Sequence, residues 1–191
     1  MTDISPTNAS LRALTAQFAQ QGSLQAIYLR PARSTPCITV NNATAIAGRG
    51  LHGDRATTTP SRNPLGSNRQ ITLIQAEHIA VIAMLMGKQR IDAAALRRNL
   101  VVSGINLLAV KSLFKDQPMQ LTIGNVVLEI TGPCEPCSKM EAALGTGAYN
   151  AMRGHGGVNA KVIVGGDLAL GNAVNCVIAK AQQINLFNDA T

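Results

Sequence analysis

The chain reads as a mainly β protein with helical insertions, a β-barrel folded as a single domain. Three observations lead there. Short apolar runs recur at Leu24–Leu29, Ile38–Val40, Ala43–Ala47, Ile71–Ile74, Leu100–Val102, Met119–Ile123, Val126–Ile130, Lys161–Val164 and Ala173–Ile178, with the length and spacing of strands. Between them stand clusters of Gly, Pro and Asn, the residues that turn a chain. Helical patterns interrupt the runs only irregularly, which argues against a doubly wound sheet. At 191 residues the chain is near one-domain size and can bury a core without covalent staples.

The elements follow in order. Residues 1–23 form an N-terminal helical segment, because Leu11, Leu14 and Phe18 fall at helical spacing between Thr7 and Gln20. Residues 24–180 are the barrel domain and residues 181–191 a C-terminal tail. Within the barrel domain, Ala76 to Met86 puts Ile79, Ile82, Ala83 and Met86 on one face and ends at Gly87. Asp92 can cap a short helix running to Arg97. Ile123-Gly124-Asn125-Val126-Val127 and Leu170-Gly171-Asn172-Ala173-Val174 read as tight turns feeding strands. After the run Val126 to Ile130, Gly132 and Pro133 break the strand, and Ser138 with Glu141 forms a capping box, so Cys137 is expected immediately before a helix N-cap.

Charge narrows the partners. The net charge is +7, and nine of the eleven arginines lie between Arg30 and Arg98, where the only acids are Asp54, Glu77 and Asp92. Such a block wants an anion. With no Trp, two Tyr and three Phe, platforms for stacking bases are scarce, so no specific nucleic acid is expected. A small phosphorylated ligand needs only a few arginine forks. Four cysteines, two of them solitary, do not make a disulfide framework. Nothing resembles a signal peptide or a membrane span, so the expectation is a cytoplasmic protein with no membrane partner.

Two motifs need weighing. Gly48-Arg49-Gly50-Leu51-His52-Gly53 matches G-x-G-x-x-G, but Ala56-Thr57-Thr58-Thr59-Pro60 is a poor helix. The segment is therefore read as a turn delivering Asp54 and Arg55, and the chain carries no recognisable nicotinamide or flavin motif. Cys134-x-x-Cys137 lies between a strand and a helix start. Zinc is not expected, since Cys37 and Cys176 are solitary and His52, His78 and His155 are not paired at ligand spacing. A thioredoxin-like pair would need a surrounding alternating α/β pattern that is missing. A metal-ligating or sulfur-carrying thiolate on Cys137 remains, with Cys134 beside it, against the plainer reading of a small buried hydrophobe or loop cysteine. The expected helix N-terminus favours the thiolate.

Arg97-Arg98-Asn99 ends a short helix just before a strand, a placement that suits a polyanion or simply a helix C-terminus. Arg153-Gly154-His155-Gly156-Gly157 is a glycine-loosened loop entering the strand at Lys161, with His155 either a hydrogen-bonded loop residue or a catalyst.

The succession Gly53-Asp54-Arg55, Arg69-Gln70-Ile71-Thr72-Leu73-Ile74, Arg97-Arg98-Asn99-Leu100, Thr131-Gly132-Pro133-Cys134-Glu135-Pro136-Cys137 and Gly156-Gly157 resembles the MOSC family, named for the C-terminal domain of molybdenum cofactor sulfurase. The resemblance runs from about Leu24 to Ile178 and is nearest to the stand-alone bacterial branch. It implies a β-barrel with helical insertions that binds the molybdenum cofactor (molybdopterin), a pterin with a dithiolene and a terminal phosphate, or handles sulfur destined for it. By resemblance Cys137 is the metal ligand and catalytic residue. Arg33, Ser34, Arg55, Arg97, Arg98 and Asn99 are the cofactor-binding set, with arginine at 33 where relatives carry lysine and arginine at 98 where some carry proline. Cys134, Arg153 and His155 shape the open side. The implied activity is reduction of a small N-hydroxylated substrate by oxygen-atom transfer at molybdenum, with electrons from a separate donor protein. The alternatives are a sulfur carrier using a Cys137 persulfide and a non-catalytic anion- or cofactor-binding module.

Overall fold

Strict alternation builds the strands. In β7 (Met119–Ile123) and β8 (Val126–Pro133) every second side chain is buried, and the two pair as a hairpin with Ile123 opposite Val126 across Gly124 and Asn125. The structure, a computed structural model, describes residues 10–58 and 66–179. The first nine residues of the N-terminal segment, Thr59 and Pro60, and the tail 181–191 lie outside the described residues.

The other strands are β1 (Gly22–Leu29), β2 (Ile38–Val40), β3 (Asn42–Ile46), β4 (Gly50–Leu51), β5 (Ile71–Gln75), β6 (Leu100–Ser103), β9 (Val158–Val164), β10 (Gly166–Ala169) and β11 (Ala173–Ile178). The main sheet runs β11-β7-β8-β9-β5-β6-β1-β2, and pairing of Gly22 with Val174 joins β1 to β11. The sheet thus closes into a seven-stranded barrel, with β2 as an appendage on β1. A small second sheet, β10-β3-β4, stands beside it. No helix among the described residues is long and apolar enough to cross a membrane.

Among the described residues only β5 and β6 pair in parallel, and their link carries the helix α3 (Ala76–Leu85) and a 3-10 turn, Ala93–Leu96, capped by the Asp92 carboxylate on the Ala94 N–H. This pair is buried on both faces. Leu73, Leu100 and Val102 point into the barrel with Leu24, Ile27 and Leu121, whereas Ile74 and Val101 face outward to a second cluster. That cluster, Ile82, Leu96, Met140, Leu144 and Met152, comes from α3, from the 3-10 turn and from two later helices, α4 (Ser138–Leu144) and α5 (Ala148–Met152). Continuous apolar runs in β5 and β6 are what a sheet covered on both sides requires.

The N-terminal helix is shorter than its apolar spacing predicts. Within the described residues α1 covers only Leu11–Thr15, with Ser10 as its N-cap. Phe18 leaves the helix line because it packs against the barrel core. Arg12 ties α1 down by bonding Asp116 at 2.9 Å and lying over the Phe114 ring. The Thr-rich segment forms one short helix, α2 (Arg55–Thr58). β9 starts at Val158, three residues before the expected Lys161, because Val158 pairs with both Leu73 and Pro133. β1 stops and β6 begins on one flank of β5, β8 stops and β9 begins on the other, and the polar residues gather where these two junctions meet beside Thr72 and Leu73.

Candidate functional site

A buried carboxylate organises the floor of this junction. Asp54 is 1% exposed and accepts from Arg30 Nε at 3.0 Å, the Arg30 backbone N–H at 3.0 Å, the Ala56 N–H at 2.9 Å and Asn99 Nδ2 at 2.7 Å. Burial alone would push its carboxyl up. The bonds from Arg30 and Ala56 outweigh that and hold it below the usual carboxylate range. Asn99 Oδ1 in turn accepts from Arg30 Nη2 at 2.9 Å, Thr72 N at 3.1 Å and Thr72 Oγ1 at 3.0 Å, while Nδ2 also reaches Tyr28 O at 3.1 Å. Both amide donors of Asn99 are therefore spent inside the protein, where a cofactor contact was expected. It stitches β1, β5 and the start of β6 to the Asp54 turn.

Above this floor the loop 31–37 and Arg97 form one wall. Ser34 at φ 66° and Arg97 at φ 56° are the only non-glycine residues with left-handed backbone among those described. Arg97 Nη1 donates to Thr35 O at 3.0 Å, joining the two. Arg33, Ser34 and Arg55 are exposed around them. The half-buried Cys37 belongs to the same wall. Burial pushes its thiol up, while the charges of Arg97 and Arg30 pull it down.

The opposite wall holds the cysteine pair. Cys134 is 8% exposed, donates its N–H to Gly157 O at 2.8 Å, and offers its carbonyl to Arg98 Nη2 at 2.9 Å. Arg98 also donates to Gly156 O at 2.6 Å and Leu96 O at 3.1 Å. With Arg98 only 6% exposed, its guanidinium is a staple between three backbone segments. The glycine pair is explained by the same approach. A Cβ on Gly156 would lie 2.5 Å from Cys134 O, and one on Gly157 would lie 2.0 Å from Leu73 O.

Cys137 is exposed and is itself the N-cap of α4, which corrects the expected capping box. The Glu141 carboxylate turns forward, accepting from Gly147 N and Tyr149 N, each at 2.8 Å, and so it links α4 to the start of α5. Three buried polar atoms near these loops lack a protein partner: His78 Nδ1, His155 Nδ1 and Asn159 Oδ1. Asn159 donates its Nδ2 to Pro133 O at 2.7 Å, just before Cys134. The His78 and His155 rings meet edge to face at 5.2 Å, and burial, then the His155 charge, holds His78 below its usual value. Arg153 is exposed at the edge of this loop.

The structure brings Cys134, Ser34 and Arg97, all singled out in the sequence, together with Arg30, Cys37, Thr72 and Asn159, which were not assigned to the site. Arg30 had a signal: Asp54, an acid within an arginine block, needs a buried partner. Cys37 and Asn159 had none, since only the closure of the barrel brings them near.

Among the described residues no group of three or more His, Cys, Asp or Glu is placed to hold a metal ion. One exposed thiol beside several guanidinium groups suits instead an anionic group that brings most of its metal's ligands with it, and the orphaned buried acceptor at Asn159 would take an N–H donor from the same molecule. The residues present therefore fit a pterin-dithiolene-phosphate cofactor.

A family model described as MOSC domain matches residues 60–175. The fold is similar to that of the YuaD protein from Bacillus subtilis, with 20% identity, a TM-score of 0.67, and coverage of 84% of this chain and 98% of that one. It is also similar to YiiM from Escherichia coli, with 18% identity, a TM-score of 0.59, and coverage of 83% and 71%. YiiM from Geobacillus stearothermophilus matches with 17% identity, a TM-score of 0.55, and coverage of 83% and 75%. Among curated proteins none matches this chain.

Proposed function

The chain belongs to the MOSC family, and from that membership together with the geometry of the site we propose that it binds the molybdenum cofactor and reduces N-hydroxylated compounds. The observation that carries the reading is the wall built by Ser34 and Arg97. Two non-glycine residues hold left-handed backbone, the Arg97 guanidinium bonds the carbonyl of Thr35 next to Ser34, and both fall where the resemblance expects contacts to phosphate and pterin. Such backbone costs of order 1–3 kcal/mol per residue and persists where a structure keeps side chains poised for a ligand.

In this role Arg33, Ser34, Arg55 and Arg97 would hold phosphate and pterin through charged hydrogen bonds. Cys137 would ligate the metal, its soft sulfur suiting a sulfur-rich centre. Arg98 and Asn99 act one step back. Arg98 sets the Cys134 and Gly156 carbonyls, and Asn99 ties the floor beneath Arg97. When bound, the cofactor supplies the two-electron oxygen-atom chemistry that no side chain here can provide. The net change is R–NHOH + 2e⁻ + 2H⁺ → R–NH₂ + H₂O, with the electrons delivered by a separate donor protein.

The test is metal and pterin content after purification from a host that makes the cofactor. Wild type should carry both and, with a reduced donor, convert an N-hydroxylated nucleobase to its amine. Cys137→Ser should retain no molybdenum and no activity, whereas Cys134→Ser should only lower them. Equal molybdenum in wild type and Cys137→Ser would overturn the reading. A protein without pterin that accumulates persulfide on Cys137 would be a sulfur carrier.

A further inference from the structure

Past the end of β6 that lies away from Asn99, the surface turns apolar. A groove of about 490 Å³ opens there, between the segment that follows α1 and the loop from Gly104 to Met119. Leu14, Phe18, Ile105, Leu108, Leu113 and Met119 line it. Leu14 is 52% exposed, Leu108 42% and Leu113 65%, so three leucines of one concave surface face water. An apolar surface gathered in this way marks a place where something binds. Among the described residues Lys111 is the one charged side chain on its wall.

The route of the chain leads to this groove. β11 runs antiparallel to β7 with Ile178 opposite Met119, and the Ala179 N–H carries the pairing one step further by donating to Pro118 O at 2.7 Å. Met119 lines the groove, and its own N–H donates to Ser112 Oγ at 2.6 Å, which folds Leu113 back beside that point. The described residues end at Ala179, at the edge of the groove. Next in sequence come Lys180 and the tail 181–191. Ile184, Leu186 and Phe187 are its large apolar residues, and they fall within four consecutive positions flanked by Gln183 and Asn188. Asp189 is the only charged side chain of the tail, opposite in sign to Lys111.

We propose that Ile184, Leu186 and Phe187 seat in this groove, so that the tail clasps the apolar surface of its own chain. Reach does not limit it. The five residues from Lys180 to Ile184 span up to about 17 Å, and Leu113 stands beside the point of departure. A short tether holds the segment at an effective concentration in the millimolar range, so a modest apolar contact is enough to keep it docked. Residues 1–9 match the groove less well, since Met1 and Ile4, their large apolar residues, are separated by Thr2 and Asp3. Because the groove lies past the far end of β6 from Asn99, the clasp stands independently of the reductase reading.

Two measurements on the full chain test it. With p-benzoylphenylalanine in place of Phe187, irradiation should join the tail to residues 14–20 or 104–119 of the same molecule, mapped by mass spectrometry, in a yield that dilution does not change. Products joining two copies, a yield that falls on dilution, or crosslinks scattered over the barrel would overturn the proposal. The second measurement uses the dye anilinonaphthalene sulfonate, whose emission reports open apolar surface. Wild type should bind it weakly, and Leu186→Gln combined with Phe187→Gln should raise the emission severalfold. Adding Leu113→Gln to that variant should remove most of the gain, which assigns the opened surface to the groove. Emission unchanged by the tail substitutions, or a gain that survives Leu113→Gln, also overturns it.

Discussion

The floor and the rim of the site are built from the same residue types and do opposite things. On the floor, Arg30, Asp54, Thr72, Arg98 and Asn99 are bonded to one another or to backbone, with Asp54, Thr72, Arg98 and Asn99 fully buried. On the rim, Arg33, Ser34, Arg55 and Cys137 are exposed. The consecutive residues Arg97, Arg98 and Asn99 are divided between the two, because the left-handed turn at Arg97 sends its side chain to the wall while the next two turn into the junction beside β5. The difference teaches that a motif of polar residues before a strand can be half binding surface and half scaffold. Burial decides which half is which.

The comparison breaks most visibly at Asp54. Asp54→Ala leaves Arg30 and the Asn99 amide without their acceptor, and removing one partner of a buried pair costs about 3–5 kcal/mol. Chemical denaturation should show that loss, and cofactor content should fall with it. The floor should also have an acid limb. The folded Asp54 carboxyl lies below its unfolded value of about 3.9, so its contribution is complete above that pH and disappears as pH falls through the lower folded value. Asp54→Asn should remove that part of the pH dependence of the denaturation midpoint. A limb that survives the substitution would assign it to other carboxylates.

A smaller and sharper effect is expected at Arg97, which the proposed function puts on the rim and one hydrogen bond ties to the wall. Arg97→Ala should weaken cofactor retention by about 1.5–3 kcal/mol, at least tenfold in affinity, because a charged phosphate bond is lost. Unfolding free energy should change by only about 1 kcal/mol, the worth of the bond to Thr35 O. Stability loss as large as that of Asp54→Ala would move Arg97 to the floor. The least effect on folding is expected at Arg33. Arg33→Ala should leave stability within about 0.5 kcal/mol while lowering cofactor occupancy, measured by pterin release from the purified protein.

Much of the architecture was legible locally. Alternation in Met119–Ile123 and Val126–Ile130, the Gly124-Asn125 turn, and the Ala76 helix ending before Gly87 reappear with small changes of boundary. The capping box at Ser138 failed because a carboxylate can satisfy either the turn behind it or the helix ahead, and the nearby start of α5 supplied the better donors. The two-residue β4 and the strand β10 were not legible, since each exists only by pairing with β3.

Apolar periodicity, turn residues and the order of the polar motifs determined, from sequence alone, a mainly β barrel with Cys137 and Arg97 as residues to watch, and the family resemblance added Ser34. These signals are local, and each depends on neighbours a few positions away. Tertiary structure decided which polar groups were free. Arg30, Asp54, Thr72 and Asn99 come from four separate segments, and only closure of β1 against β6, with β5 alongside, removes them from water and obliges them to bond to one another. Desolvation makes that choice, because a buried polar group must find its partner inside the protein whereas an exposed one keeps its capacity for a ligand.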